Sequence, residues 1–350
     1  MTWRSLTICR SLEVAIARDA ALRRAVQKFS WASKRSGTHR YTADEREAIV
    51  NHLGNMLSAV RRPKAARALA QLASRICVVC LHTGEVYQAS IRLYEQAVLG
   101  DDVQKIVVDT ERGKLVGILE FPGIGRSYSL VIICHGVPSG REAMSLVASR
   151  FHARGLATLV LDLPGYGETT VALTQSAADA EILKHIVTAA CKHERVDASS
   201  VGIIGYSDGA WHAAELCARD ERIRAMVGMS GRYSKVGGPE NVIVSGPADE
   251  AFRMARWKAG ARPTPDFFPW DPDSSAFDVA HQIRCPVLVV AGSDEPDIFL
   301  RQAEQFASLV PRAALKVWRG GGHGARNIPD ALEQAVDWMK EQLGSPHPHR

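Results

Sequence analysis

Apolar residues recur at two different periods along the 350-residue chain, and the period changes near residue 101. Before that point Leu12, Val14, Ala15, Ala21, Leu22, Ala25 and Val26, then Ile49, Val50, Leu53, Met56, Leu57 and Val60, recur at spacings of three and four. That spacing predicts amphipathic helices. Further helix is expected from residue 65 to about 99, with breaks near Arg62-Pro63 and Thr83-Gly84. After it, the apolar stretches 103–108 and 115–119 flank the turn Glu111-Arg112-Gly113-Lys114 and read as a hairpin. Continuous apolar runs follow at 130–134, 157–161, 201–205, 225–229, 286–291 and 314–318, separated by helix-like segments. Runs of this kind predict parallel strands buried on both faces, hence an α/β class with a doubly wound, mostly parallel sheet. The expected organisation is a helical domain over 1–100, a sheet domain over 101–231 and 283–344, an insertion over 232–282, and a disordered tail over 345–350.

Composition narrows the picture. A hydrophobic content of 46% in a chain of this length supports one large core plus an appendage. The seven cysteines, at 9, 77, 80, 134, 191, 217 and 285, are odd in number and scattered, which argues against a disulfide framework and for a reducing compartment. Cys77 and Cys80 form a lone C-x-x-C with no second pair, read as a buried helix face rather than a metal or redox site. No apolar run is long enough to cross a bilayer and no secretory leader precedes the helices, so a soluble, cytoplasmic protein is expected. The net charge of +5 is uneven: residues 1–75 hold 15 Lys/Arg against 5 Asp/Glu, the remainder 28 against 33. The basic N-terminal helices are read as a solvated face, with docking to an acidic carrier protein as the alternative. Nucleic acid is disfavoured because no recognition motif accompanies the charge, and Glu13 and Asp19 argue against a transit peptide.

The chemistry lies at the predicted strand ends, where doubly wound sheets bind ligands. Residues 201–205 run into Tyr206-Ser207-Asp208-Gly209, completing G-x-S-x-G from Gly205 to Gly209. Such a corner turns a strand into a helix and lifts the serine hydroxyl above the sheet, beside the free N–H groups of the helix. After 130–134 comes His135-Gly136-Val137-Pro138, a loop able to offer a backbone N–H to an oxyanion; Pro138 has none, so Val137 is the better donor. Asp162 to Glu168 reads as a purely structural turn. After 286–291 comes Gly292-Ser293-Asp294-Glu295-Pro296-Asp297; Asp294 is the first candidate acid, Glu295 the second, and Asp297 the third if Pro296 kinks the loop. After 314–318 comes Arg319-Gly320-Gly321-Gly322-His323, a histidine downstream of both partners. No metal cluster, phosphate loop or dinucleotide fingerprint is present, so neither a metal nor a cofactor is implied.

Ser207, Asp294 and His323 follow the chain order used by α/β-hydrolases, and residues 101–343 resemble that superfamily. Its members often carry one residue more between the glycine and the acid, which keeps Glu295 open. The helical segment ahead of the sheet, with Tyr206-Ser207-Asp208-Gly209 and His323-Gly324-Ala325-Arg326-Asn327, is similar to one branch. That branch includes dihydroxypseudooxynicotine hydrolase, the fungal polyketide-shortening hydrolases and the FrsA-like proteins. The resemblance implies a small-molecule substrate, with Ser207 as nucleophile, His323 as base and an oxyanion hole at Val137 and Asp208. It implies cleavage of an ester or of a carbon–carbon bond beside a ketone, in a mid-sized, aromatic or secondary-metabolite substrate. Two other outcomes fit the same fold: elimination of acetate from an O-acetylated tetronate-type intermediate, and ligand binding without turnover. The insertion would form a cap, with Tyr233, Phe252, Trp257, Phe267, Phe268, Trp270 and Phe277 in it. His135, Tyr206, Tyr233 and Glu240 are candidate substrate contacts. Helical appendages in this branch often mediate pairing, so a homodimer is expected.

Overall fold

The computed structural model describes residues 98–125, 127–136, 140–171, 174, 176–234, 275–325 and 327–344, with positions 91, 94 and 95. Outside the described residues lie the expected N-terminal helices up to residue 90, Cys77 and Cys80, Val137, Glu240, the aromatic residues 252–270 and the tail 345–350. The chain divides into two compact units, 1–100 with 245–263, and 101–244 with 264–350; the second holds the sheet.

Eight strands form that sheet: β1 (Val103–Thr110), β2 (Gly113–Glu120), β3 (Tyr128–Cys134), β4 (Ala157–Asp162), β5 (Val196–Tyr206), β6 (Ile223–Met229), β7 (Val287–Gly292) and β8 (Ala313–Trp318). The helices are α1 (Ser145–His152), α2 (Ala177–Cys191), α3 (Asp208–Arg219), α4 (Ala276–Val279), α5 (Asp297–Leu309) and α6 (Pro329–Gly344). The order across the sheet is β1-β2-β4-β3-β5-β6-β7-β8. The pairings β1·β2 and β2·β4 are antiparallel and all others parallel, as expected of a mostly parallel sheet opened by a hairpin.

Successive strand residues point to opposite faces, and both faces of the central strands are covered. In β3, Val131 and Ile133 share a cluster with Phe151 of α1 and with Val336 and Met339 of α6. Their neighbours Leu130 and Ile132, which face the other way, are equally buried. There α2 packs on β1 and β2, α3 on β5 and β6, and α5 on β7 and β8. β8 departs from the sequence expectation: as the last strand it has one neighbour, and its residues 314–317 are exposed.

The turn after β4 is held by a network of ion pairs and hydrogen bonds. Arg141, fully buried, pairs with the equally buried Asp162 and with Glu168 at 2.5 Å. The Glu168 N–H donates to Asp162 Oδ2 at 2.9 Å, and Lys105 reaches Glu168 from β1 at 2.7 Å. Burial pushes the Asp162 carboxyl up, and the Arg141 guanidinium opposes that shift. The network fixes the β4 loop beside the loop that follows β3.

The segment leaving the sheet after β6 is clamped at its neck. Gln302 of α5 accepts the Tyr233 N–H at 2.7 Å and the Ser234 N–H at 3.0 Å, and its Nε2 donates to the Ser234 carbonyl at 2.9 Å. Ser234 and Ser275 form a bridge where the chain leaves and returns.

Candidate active site

Ser207 occupies the corner between β5 and α3 with φ 52° and ψ −120°. A left-handed φ is costly for a residue with a side chain and persists where the surroundings dictate it. The flanking glycines make the corner possible: a Cβ on Gly205 would stand 2.3 Å from the Gly209 carbonyl oxygen, and one on Gly209 would stand 2.4 Å from that of Cys134. The corner is tied down by three backbone bonds. The Ser207 N–H donates to the Met229 carbonyl at 3.0 Å, and the Ser207 carbonyl accepts from Ala210 at 3.0 Å and Arg232 at 3.1 Å. Gly136 presses against the corner, since a Cβ there would lie 2.9 Å from Ser207 Cβ. The loop after β3 therefore approaches the serine closely, although its Val137 lies outside the described residues. Asp208 opens α3, so its backbone N–H is one of those a helix leaves without an internal partner.

The acid and the histidine come from the next two loops. Glu295, in the turn between β7 and α5, accepts a hydrogen bond at Oε2 from the His323 ring, Nδ1 to Oε2 3.0 Å. Its side chain is fully buried, whereas that of His323 is 36% exposed. The histidine keeps an open face and the glutamate has none. With Nδ1 committed to Glu295, Nε2 is the ring nitrogen left to accept a proton. Glu295 Oε1 accepts the Gly292 N–H at 2.6 Å and the hydroxyl of Ser230. The His323 loop is held by Asn327, which accepts the Gly322 N–H at 2.8 Å and donates to the Gly320 carbonyl at 2.7 Å. Phe299 of α5 packs on the imidazole, ring centres 4.4 Å apart.

Asp294, the first candidate acid, does not meet His323. It is exposed, its backbone N–H is bound to the Gly321 carbonyl at 2.8 Å, and its Oδ1 accepts the Ser293 hydroxyl at 2.8 Å. The anchoring of residue 294 to the β8 loop turns its side chain outward and the next one inward. Asp297 is also exposed, as the first residue of α5.

Three candidate substrate contacts are placed in the interior instead. Tyr233 is fully buried and stacks on Phe306 of α5, centres 3.9 Å apart and planes 4° from parallel. Burial pushes its phenol up, and the Glu295 carboxylate adds to the shift. Tyr206 is 4% exposed within the core cluster of α1 and α6. His135 is 1% exposed, its ring edge-on to Tyr166 at 4.9 Å, with the Leu163 N–H directed at Nε2 at 3.4 Å. The fourth, Glu240, lies outside the described residues.

Two residues that carried no sequence signal join the site. Arg232, after β6, holds the elbow through its N–H and brings its guanidinium to 3.6 Å from Asp208 Oδ1. Burial lowers its pKa, an effect that Asp208 opposes. Ser230 has φ 47° and links Glu295 to the His323 loop. Cys134, at the end of β3, is no competing nucleophile: burial pushes its thiol up to about 12.

The elements, their order across the sheet and the elbow define an α/β-hydrolase fold. Residues 129–256 match the family model of the alpha/beta hydrolase fold. Two Escherichia coli proteins, each described as an uncharacterized 31.7 kDa protein in the traX-finO intergenic region, are 28% identical over 131 residues. That stretch is 37% of this chain and 44% of each relative, so the chain spans under half the length of the curated relatives it matches. Among solved structures, 2,6-dihydroxy-pseudo-oxynicotine hydrolase has a TM-score of 0.67 at 19% identity, covering 86% of this chain and 88% of its own. The α/β hydrolase GrgF from Penicillium sp. sh18 has a TM-score of 0.57 at 17% identity, over 69% of this chain and 99% of its own. The Pyrococcus furiosus esterase Pf2001 has a TM-score of 0.53 at 18% identity, over 69% and 93%. At these identities the likeness is one of fold.

Proposed function

We propose that the chain is a serine-dependent hydrolase that cleaves an ester, or a carbon–carbon bond beside a ketone, with Ser207, His323 and Glu295 as its triad. The observation that carries the reading is a short path of bonds at one rim of the sheet. The Ser207 N–H is bound to the Met229 carbonyl; the next residue, Ser230, is bound through its hydroxyl to Glu295 and to Gly324, the neighbour of His323. The strained serine and the glutamate–histidine pair thus share one frame. Fold neighbours that are a hydrolase and an esterase support the same reading.

In this mechanism His323 Nε2 takes the Ser207 hydroxyl proton as Oγ attacks the substrate carbonyl carbon. Glu295 holds the imidazole by Nδ1 and stabilises its protonated form. The oxyanion is met by the Asp208 N–H and by a second N–H from the loop after β3; loss of one such donor typically costs roughly 10²–10³ in turnover. The imidazolium then protonates the departing alkoxide or carbanion, and water, deprotonated by the same ring, releases the acyl group from Ser207. Incubation with aryl ketones, short-chain esters and O-acetyl lactones, with products identified by mass, tests the reading. Release of a free acid from an ester or ketone supports it; elimination of acetate alone, or unchanged ligand bound tightly, contradicts it.

A further inference from the structure

The hydroxyl of Ser230 stands between the two groups on which the proposed triad depends. It donates to Glu295 Oε1 and accepts the N–H of Gly324 at 2.6 Å. A backbone N–H has nothing to accept with, so the single O–H must point at the carboxylate. Ser230 is fully buried, and its own N–H is fixed to the Val290 carbonyl of β7 at 2.7 Å. Its φ of 47° is a conformation that is costly for a residue with a side chain. An alanine would pay the same backbone penalty and make neither hydroxyl bond.

We propose that Ser230 is a positioning residue for the proposed reaction: its hydroxyl locks the Glu295 carboxylate and the His323 loop in one register and tunes the basicity of the imidazole. The inference rests on the hydrolase reading above. Two donors on Oε1, Ser230 and the Gly292 N–H, leave Oε2 turned to His323 Nδ1. Those donors also drain charge from the carboxylate and weaken its hold on an imidazolium proton. Among the described residues, the Glu295–His323 pair is faced by the Tyr233 phenol from the segment after β6 and by the apolar Phe299 ring from α5. Replacing Ser230 by alanine takes a donor from the carboxylate without changing any formal charge.

The test follows the inactivation rate by a fluorophosphonate from about pH 5 to about pH 9. It compares the natural chain, Ser230→Ala and Ser230→Gly, with Ser207→Ala as the blank; glycine adopts the positive φ freely, so it decides the matter if the alanine variant does not fold. The expected result is a limiting rate about tenfold lower and a midpoint raised by roughly half a pH unit. A folded variant with the natural profile overturns the assignment. So does a lower limiting rate with an unmoved midpoint, which is the signature of a merely structural role. A natural chain that is not inactivated at all overturns the hydrolase reading itself, a different result from either.

Discussion

The Glu295 carboxylate meets the His323 ring, Oε2 to Nδ1 at 3.0 Å, while Asp294, one residue earlier, points to solvent. The two acids are adjacent in sequence, and only the inner one can hold the imidazole. Glu295→Ala is therefore expected to lower kcat on an activated ester by about 10² or more, whereas Asp294→Ala stays within about twofold. Equal losses in the two variants would show that the turn rearranges in solution.

How far the sequence reveals this site depends on where each residue's orientation is decided. The elbow is legible because its requirement is local: a strand entering a helix through a serine needs small residues, and Gly205 and Gly209 are spaced for it. The parallel strands are legible from runs such as 130–134, which need apolar residues on both faces. The choice between residues 294 and 295 is not local, since it is set by the Asp294 N–H bonding across to Gly321 on the loop of another strand. Ser230 is silent for the same reason, its partners lying 65 and 94 residues away. Tyr233 resembles a cap aromatic by its place in the chain, yet Gln302 ties its backbone down and Phe306 takes its ring. The exposure of β8 follows from its position at the sheet edge, which no composition announces.

The buried Arg141 and the exposed Arg150 offer a contrast in stability. Arg141 lies between Asp162 and Glu168 with no exposed surface, so Arg141→Ala leaves a buried carboxylate uncompensated and is expected to cost about 3–5 kcal/mol. Arg150 is half exposed and pairs with Glu333 at 3.2 Å, so Arg150→Ala should cost less than about 1 kcal/mol. Chemical denaturation of both variants gives the comparison; similar losses would contradict the assigned network.

Glu215 on α3 gives stability a pH dependence of definite sign. Burial pushes its carboxyl from 4.5 up to about 7, against the pull of Arg219, whose guanidinium lies 2.5 Å away. A carboxyl whose folded pKa is raised binds more protons folded than unfolded. Its contribution is fully present below about 4.5 and is lost as pH rises through about 7. Glu215→Gln should flatten the pH dependence of the unfolding free energy over that window, removing a change on the order of 3 kcal/mol. A variant whose pH profile parallels that of the natural chain would refute the assignment.

The central claim is that Ser207 is a nucleophile activated by His323. Intact-mass measurement after treatment with a fluorophosphonate reads this directly. The account predicts one adduct on the natural chain, none on Ser207→Ala, and slow or absent labelling of His323→Ala. An unmodified natural chain, or an adduct that persists in Ser207→Ala, would contradict it.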